Sequence, residues 1–434
     1  MQVRVPNASP CGLVANFETR CADYFHPSVL AYVLRNRAAH LARHARGAAA
    51  LTQRVREELW QIGAASVSSS CHLEPQTTAT LLLSLAKLGE TLPDAVKALT
   101  AGFKFERAQP KAVALTLNAF ARHPRGLRHV DSEFWPGIAE TIEQKEQYFM
   151  PQDAAACALA ITGILAANRG GNTGAGSTGA LIDQSASQRL KACYLRVLRY
   201  AENMLRELDA HSFKARDLSC ILQAVYASRV EAPGLVIAAL QRLRELIPAS
   251  LNGIDDCIYV LDLLPPPTFA AGTVEERRVK RDVARAEKAF VEWGFEYLRD
   301  HLDCLRVREL ARVAAVCNRL RSWSSDEFAL RFAAAWEAAL RDSGEMRPQY
   351  LSHGACYFLR RYEASVSREL GARGEAEQQR IARVSDACAR IGEMLHDHAR
   401  SRYSAEDLRR VEEVLHIAEQ CRAKRTGKQA PRQF

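Results

Sequence analysis

Lysine is scarce in this 434-residue chain: only 11 of its 59 basic residues are Lys, and the rest are Arg. Aromatic residues make up 7%, and Trp60, Trp135, Trp293, Trp323 and Trp336 mostly fall inside helical patterns. That speaks against a surface built to stack nucleotide bases. Hairpin dipeptides are nearly missing. Asn252-Gly253 is the one such pair, and no strand pattern flanks it, which excludes a strand-rich fold. No apolar run approaches the roughly 20 residues of a membrane span, and a secretory signal peptide is not expected from the opening residues. The twelve cysteines include no Cys-x-x-Cys and no Cys/His zinc spacing. Cys157, Cys220, Cys257, Cys317 and Cys356 take small positions within helical patterns. They read as reduced core thiols and imply a reducing compartment.

Catalytic patterns are missing as well. Gly174-Ala-Gly-Ser-Thr-Gly179 has the glycines of a phosphate loop. No strand precedes it and no Lys follows, so its composition is that of a linker. His40 and His44 are one helical turn apart but surrounded by arginines. His396 and His398 fall on different helical faces. No pair of acids stands out as an acid/base couple. The expectation is a protein that is not an enzyme, with no catalytic residue, cofactor, metal or small-molecule substrate.

What remains is Ala, Leu and Arg in a helical rhythm. Hydrophobic residues are 48% of the chain, too many for general disorder. Gln76–Gly89 places Leu81, Leu82, Leu85 and Leu88 on one stripe, with Ala79, Ser84 and Ala86 between them. A helix this short is unstable alone in water and needs neighbours. The chain repeats the pattern at Lys111–His123, Gln152–Leu165, Ala215–Tyr226, Ile254–Leu264, Val307–Leu320 and Gln349–Leu359. A second helix follows each: 93–103, 132–149, 188–208, 234–247, 289–302, 326–341 and 375–398. Asp153, Asp217, Asp255, Glu309 and Asp407 enter helices, where an acid complements the N-terminal dipole. The fold expected is all-α: an α-solenoid of about seven irregular helix-turn-helix repeats forming one elongated domain. Its bounds are an irregular segment 1–24, a repeat domain 25–422 and a basic tail 423–434. A flexible Gly-rich insertion is expected at 169–187, and a Pro-rich, charged insertion at 265–288.

The formal charge is +9, almost wholly from arginine. Arginine forks match phosphate bidentately, so the excess leans towards RNA or a ribonucleoprotein surface. Codon bias in a GC-rich genome would give the same composition. Three patches carry the idea. The first helix near the N-terminus holds Arg35, Arg37, Arg43 and Arg46. Lys87, Arg122, Arg229, Arg319 and Arg360 stand at the ends of first helices. The tail holds Arg422, Lys424, Arg425 and Lys428. Cations at helix C-termini also complement the helix dipole, and basic tails are often plain solvated ends. A partner of purely acidic protein surface fits the same charge.

Leu82-Leu-Ser-Leu-Ala-Lys-Leu-Gly89, with looser echoes at Leu117–Arg122 and Leu222–Ala227, resembles the degenerate helical repeats of organellar RNA-metabolism proteins. These are the octotricopeptide, heptatricopeptide and FAST-kinase-like group. The resemblance covers about residues 75–420 and implies a helical-repeat fold. It also implies binding of ribosomal, messenger or guide RNA together with other proteins of a large complex in the mitochondrial matrix. That complex would be a mitoribosome or its assembly intermediate, or an mRNA-processing or RNA-editing complex. The first 17 residues lack acids and carry Arg4, in keeping with organellar import. No RAP-like α/β segment closes the chain, so nuclease-like activity is not implied. The repeats also lack a regular specificity pair, so no base-per-repeat code carries over. The alternative reading is a protein–protein scaffold of HEAT or armadillo type.

Overall fold

A computed structural model describes residues 73–88, 93–170, 181–207, 212–265, 274–320, 325–342, 347–369 and 374–402. The N-terminal basic helix, the helix expected from Ala405 and the tail lie outside these residues. So do Arg35, Arg37, Arg43, Arg46, Arg422, Lys424, Arg425 and Lys428. The fold is all-α, and among the described residues there is no strand. Among the described residues seven first helices alternate with seven second helices. The first helices are α1 (Pro75–Leu88), α3 (Pro110–Arg122), α5 (Pro151–Gly170), α7 (Ala215–Ser228), α9 (Gly253–Leu263), α11 (Val307–Leu320) and α13 (Pro348–Glu369). The second helices are α2 (Pro93–Ala101), α4 (Phe134–Lys145), α6 (Gln184–Arg206), α8 (Pro233–Leu246), α10 (Val274–Arg299), α12 (Asp326–Asp342) and α14 (Glu375–Arg402).

Proline opens α1, α2, α3, α5, α8 and α13. At the first helical position its fixed φ suits the helix and its missing N–H has no intrahelical partner to lose. Acids at the third position do the rest. Asp217 accepts a hydrogen bond from the Lys214 N–H at 3.1 Å and Glu309 one from the Arg306 N–H at 2.7 Å. Asp153 makes the same backward contact with Met150, although burial is strong enough to raise its carboxyl pKa. These acids fix helix starts through a direct bond as well as through the dipole.

The chain divides into two compact units, Met1–Leu235 and Val236–Phe434. In the first, α1, α3, α5 and α7 stack side by side, and α6 packs on α4 and α5. Helix α5, flanked by α3, α6 and α7, is buried nearly all round by small residues: Ala154, Ala155, Cys157, Ala158 and Ala160. Small side chains let three neighbours approach one axis. An aromatic knot of Phe103, Phe105, Phe120, Phe134 and Trp135 joins α3, α4 and the segment between α2 and α3. Gly137 is required there, since a Cβ would meet the Phe105 ring at 2.6 Å. In the second unit, α9, α11 and α13 stack, and α10, α12 and α14 form the opposing layer. Its knot comprises Phe328, Phe332, Trp336, Tyr357 and Phe358. Trp135 and Trp336 are thus core residues.

Two expected insertions shrink. The one placed at 169–187 loses its ends: α5 runs to Gly170, and Asp183 caps α6 by accepting from the Ala186 N–H at 2.6 Å. The Asn168 side chain also receives the Leu181 and Ile182 N–H groups. The charged run placed at 265–288 is helical from Val274. Its residues are good helix formers, and Glu275 and Glu276 stand in the first turn. The charge that suggests a loop is the solvated face of a helix.

Candidate interaction site on helix α10

The cations expected at first-helix ends do not share one fate. Lys87 and Arg122 stand in the last turns of α1 and α3. Arg122 is exposed and donates to Asn118 Oδ1 at 3.1 Å. Arg229 is the C-cap of α7, exposed, with φ 57° in the left-handed region. Arg319 is turned inward. It donates to the Leu261 and Leu264 carbonyls at the C-terminus of α9, with Asp262 at 3.7 Å. Burial pulls its pKa down and Asp262 pushes back. Arg360 is not at a helix end: α13 continues to Glu369. Its guanidinium donates to the Asn318 carbonyl of α11 at 3.0 Å. Arg319 and Arg360 therefore tie each first helix to the C-terminus of the previous one. Dipole complementation operates, but across the repeat. Arg319 thus spends two of its five N–H donors on carbonyls of the neighbouring repeat.

A different row of cations lies on α10. This helix has 26 residues and its partner α9 has 11. At 1.5 Å per residue these are about 39 Å and about 16 Å long. The C-terminal half of α10 carries the packing residues Phe290, Val291, Phe295 and Leu298. From Arg278 to Ala289 no residue is buried. In this half Arg278, Arg281, Arg285 and Lys288 are all exposed at spacings of three, four and three. That spacing keeps them on one face, in a row about 15 Å long. Arg285 reaches Asp282 at 3.3 Å and Lys288 reaches Glu292 at 3.8 Å. Exposed pairs of this kind hold their cations weakly, at about 0.2–1 kcal/mol.

Beside the row runs a groove of about 420 Å³ between α8 and α10. Ile237, Leu240, Gln241 and Arg244 form one wall, and Asp282, Arg285, Ala286 and Ala289 the other. Each set follows the i, i+3, i+4, i+7 pattern, so each wall is two helical turns of one face. The floor is apolar, while Arg244 and Arg285 are exposed at the rims. A smaller cavity lined by Leu82, Phe120 and His123 holds about 20 Å³, too little for a ligand.

Sequence reasoning passes over both features because the acids and arginines of 275–288 read as an insertion. The signal is present: Val279, Val283 and Ala286 mark a helical apolar stripe, and the cations mark the adjacent one. The aromatic ladder further along α10 offers no platform for bases. Trp293 stacks on Tyr297 at 5.5 Å and Tyr297 leans on His301 at 4.4 Å, which uses the ring faces internally.

Among the described residues no group of three or more His, Cys, Asp and Glu could hold a metal, and no helix is long and apolar enough to cross a membrane. None of the eight cysteines in these residues forms a disulfide. Burial pushes the Cys193 thiol up to about 11 and raises Cys157, Cys257 and Cys317 further, so these four stay protonated and inert. Cys220 and Cys356, expected in the core, are half-buried. No family model and no curated protein matches the chain. Among solved structures, 92% of this chain pairs with 95% of a circular tandem repeat protein with novel repeat topology and enhanced subunit contact surfaces. The identity is 13% and the TM-score 0.27, a likeness too remote to carry an argument.

Proposed function

We propose that this is a non-catalytic helical-repeat protein of a mitochondrial ribonucleoprotein, a component or assembly factor of the mitoribosome or of an mRNA-processing or RNA-editing complex. Its repeats contact proteins and its exposed arginines grip RNA phosphates. The row Arg278, Arg281, Arg285 and Lys288 carries this reading, because four exposed cations on one helical face match a run of backbone charge better than scattered ones do. The organellar setting rests on the Leu82–Gly89 phrase and its resemblance. The row reads no base, so binding should be of low sequence specificity.

The test is RNA binding across a salt series with the full chain. Every cation–phosphate pair removed lowers the slope of log K against log salt by about 0.7 for single strands. Changing all four cations to Gln should flatten the slope by about 3 units. Neutralising Arg35, Arg37, Arg43 and Arg46 tests the N-terminal patch in the same way. An unchanged slope in both variants sinks the phosphate reading. No RNA binding at low salt would leave the protein–protein scaffold, which the apolar floor of the α8/α10 groove already favours as a second activity.

A further inference from the structure

We propose that the α8/α10 groove is a docking site for a protein partner, and that its occupant is an amphipathic helix with acidic flanks. The groove shares Arg285 at its rim with the cation row of the RNA reading, but its apolar floor plays no part in that reading.

Three observations on α8 and α10 define the occupant. The walls are two helical faces of two turns each, with Ile237, Leu240, Ala286 and Ala289 giving the apolar lining. Small Ala residues on the α10 wall leave depth for larger side chains from outside, so anchors spaced i, i+3 or i+4, and i+7 fit along it. The apolar stripe does not end with the groove. Val283 and Val279 extend it towards the N-terminus of α10, and Val279 is 36% exposed. Such a stripe on a helix that outruns its partner is a surface shaped for covering. The rims then set the sign of the flanks. Arg244 has no ion-pair partner among the described residues. Arg285 shares the single acid of the lining, Asp282. Arg281 and Lys288 extend the positive edge. An occupant with Leu-type anchors and Glu on both flanks satisfies floor and rims together. RNA satisfies only the rims, since an apolar floor offers nothing to phosphate or ribose.

The probe is a synthetic 18-residue helical peptide with Leu anchors at i, i+3, i+7 and Glu on the flanks. Its control has the same composition in scrambled order. Both are titrated by fluorescence anisotropy into the full chain. The patterned peptide should bind at least tenfold more tightly than the scrambled one. Ile237→Ser should weaken it at least fivefold, and Arg244→Gln should weaken it less but also reduce its salt dependence. Should Ile237→Ser melt earlier than the parent, Ala286→Gln on the half-covered wall takes its place. Arg278→Gln, outside the groove edge, should leave peptide affinity nearly intact while lowering RNA affinity, so the two activities fail separately. Equal binding of both peptides, no binding, or no effect of the groove variants overturns the proposal. So does a concentration-dependent dimer abolished by Ile237→Ser, which would give the groove to a second copy. Displacement of the peptide by a 12-nucleotide RNA whose own affinity drops in Ile237→Ser would give it to nucleic acid.

Discussion

Asp326 opens α12 and gathers three arginines from two later helices. Arg361 and Arg368 come from α13 and Arg380 from α14. Arg368 is bidentate, with Nη1 at 2.9 Å from one carboxylate oxygen and Nη2 at 3.3 Å from the other. Arg380 Nε lies at 3.1 Å. The Asp326 side chain is 9% exposed and Arg361 16%, whereas Arg368 and Arg380 are 42% and 52% exposed. These exposures decide the magnitudes. Removing one partner of a buried pair costs about 3–5 kcal/mol, because the other charge is left without a counterion. Asp326→Asn strands Arg361 in that position, and the slight exposure of Arg361 puts the cost near the lower figure, about 3 kcal/mol. Arg368→Ala or Arg380→Ala removes a half-exposed partner and leaves Asp326 with two others, so each should cost about 1 kcal/mol or less. The order Asp326→Asn well above either arginine variant is the firm part. It should appear in urea unfolding followed by far-UV circular dichroism, and as loss of amide protection confined to α12, α13 and α14 in hydrogen exchange.

The same cluster fixes a pH signature. Burial alone would raise the Asp326 carboxyl. The Arg368 hydrogen bond and the charges of Arg361, Arg368 and Arg380 outweigh it and hold the pKa below the ordinary value. A folded pKa below the unfolded one, about 3.9, means that the carboxylate's contribution is complete above that pH. It is lost as pH falls through the folded value. The arginines do not titrate in this range. The gap between wild type and Asp326→Asn should therefore be constant from neutral pH to about pH 4 and close below it. A gap under ~0.5 kcal/mol at pH 7, or an arginine variant costing more than Asp326→Asn, refutes the reasoning.

Two further predictions separate packing from partner binding. Arg319→Ala should destabilise the protein by about 1–3 kcal/mol by uncovering the α9 carbonyls, and should leave the RNA salt slope unchanged; a flattened slope with intact stability would return Arg319 to the phosphate edge. Arg229→Gly should raise stability by roughly 0.5–1 kcal/mol, since glycine relieves the left-handed backbone at this C-cap, and a drop in thermal midpoint would show that the Arg229 side chain holds α7 in place.

The helices are legible because apolar periodicity and capping chemistry agree. Val307–Leu320 needs only its stripe of Leu310, Ala311, Val313, Ala314 and Cys317 to be bounded correctly. The prolines that open α1, α3, α5, α8 and α13 are an equally strong boundary signal, and the apolar stripe alone places each of these starts one residue late. Side-chain fate is far less legible. Arg122 and Arg319 occupy the same place in their repeats, yet Arg122 bonds Asn118 on its own helix while Arg319 meets the end carbonyls of the short α9. That outcome depends on α9 ending at Leu263 and on the register of α11 beside it, and neither is written in the sequence around Arg319.

The α10 face is hidden for a related reason. A solvated amphipathic half-helix has the composition of a charged loop, and only the length mismatch between α9 and α10 distinguishes the two. A buried stripe can be inferred from one helix, because its partner must exist. A stripe left partly open among the described residues, with Val279 exposed and Val283 and Ala286 half-buried, looks identical in sequence and differs only in how much packs on it. In a stacked-repeat protein this makes departures from the repeat the places to look for partners. Matched helices use their apolar faces on each other, so the helix that outruns its partner keeps a face for something else.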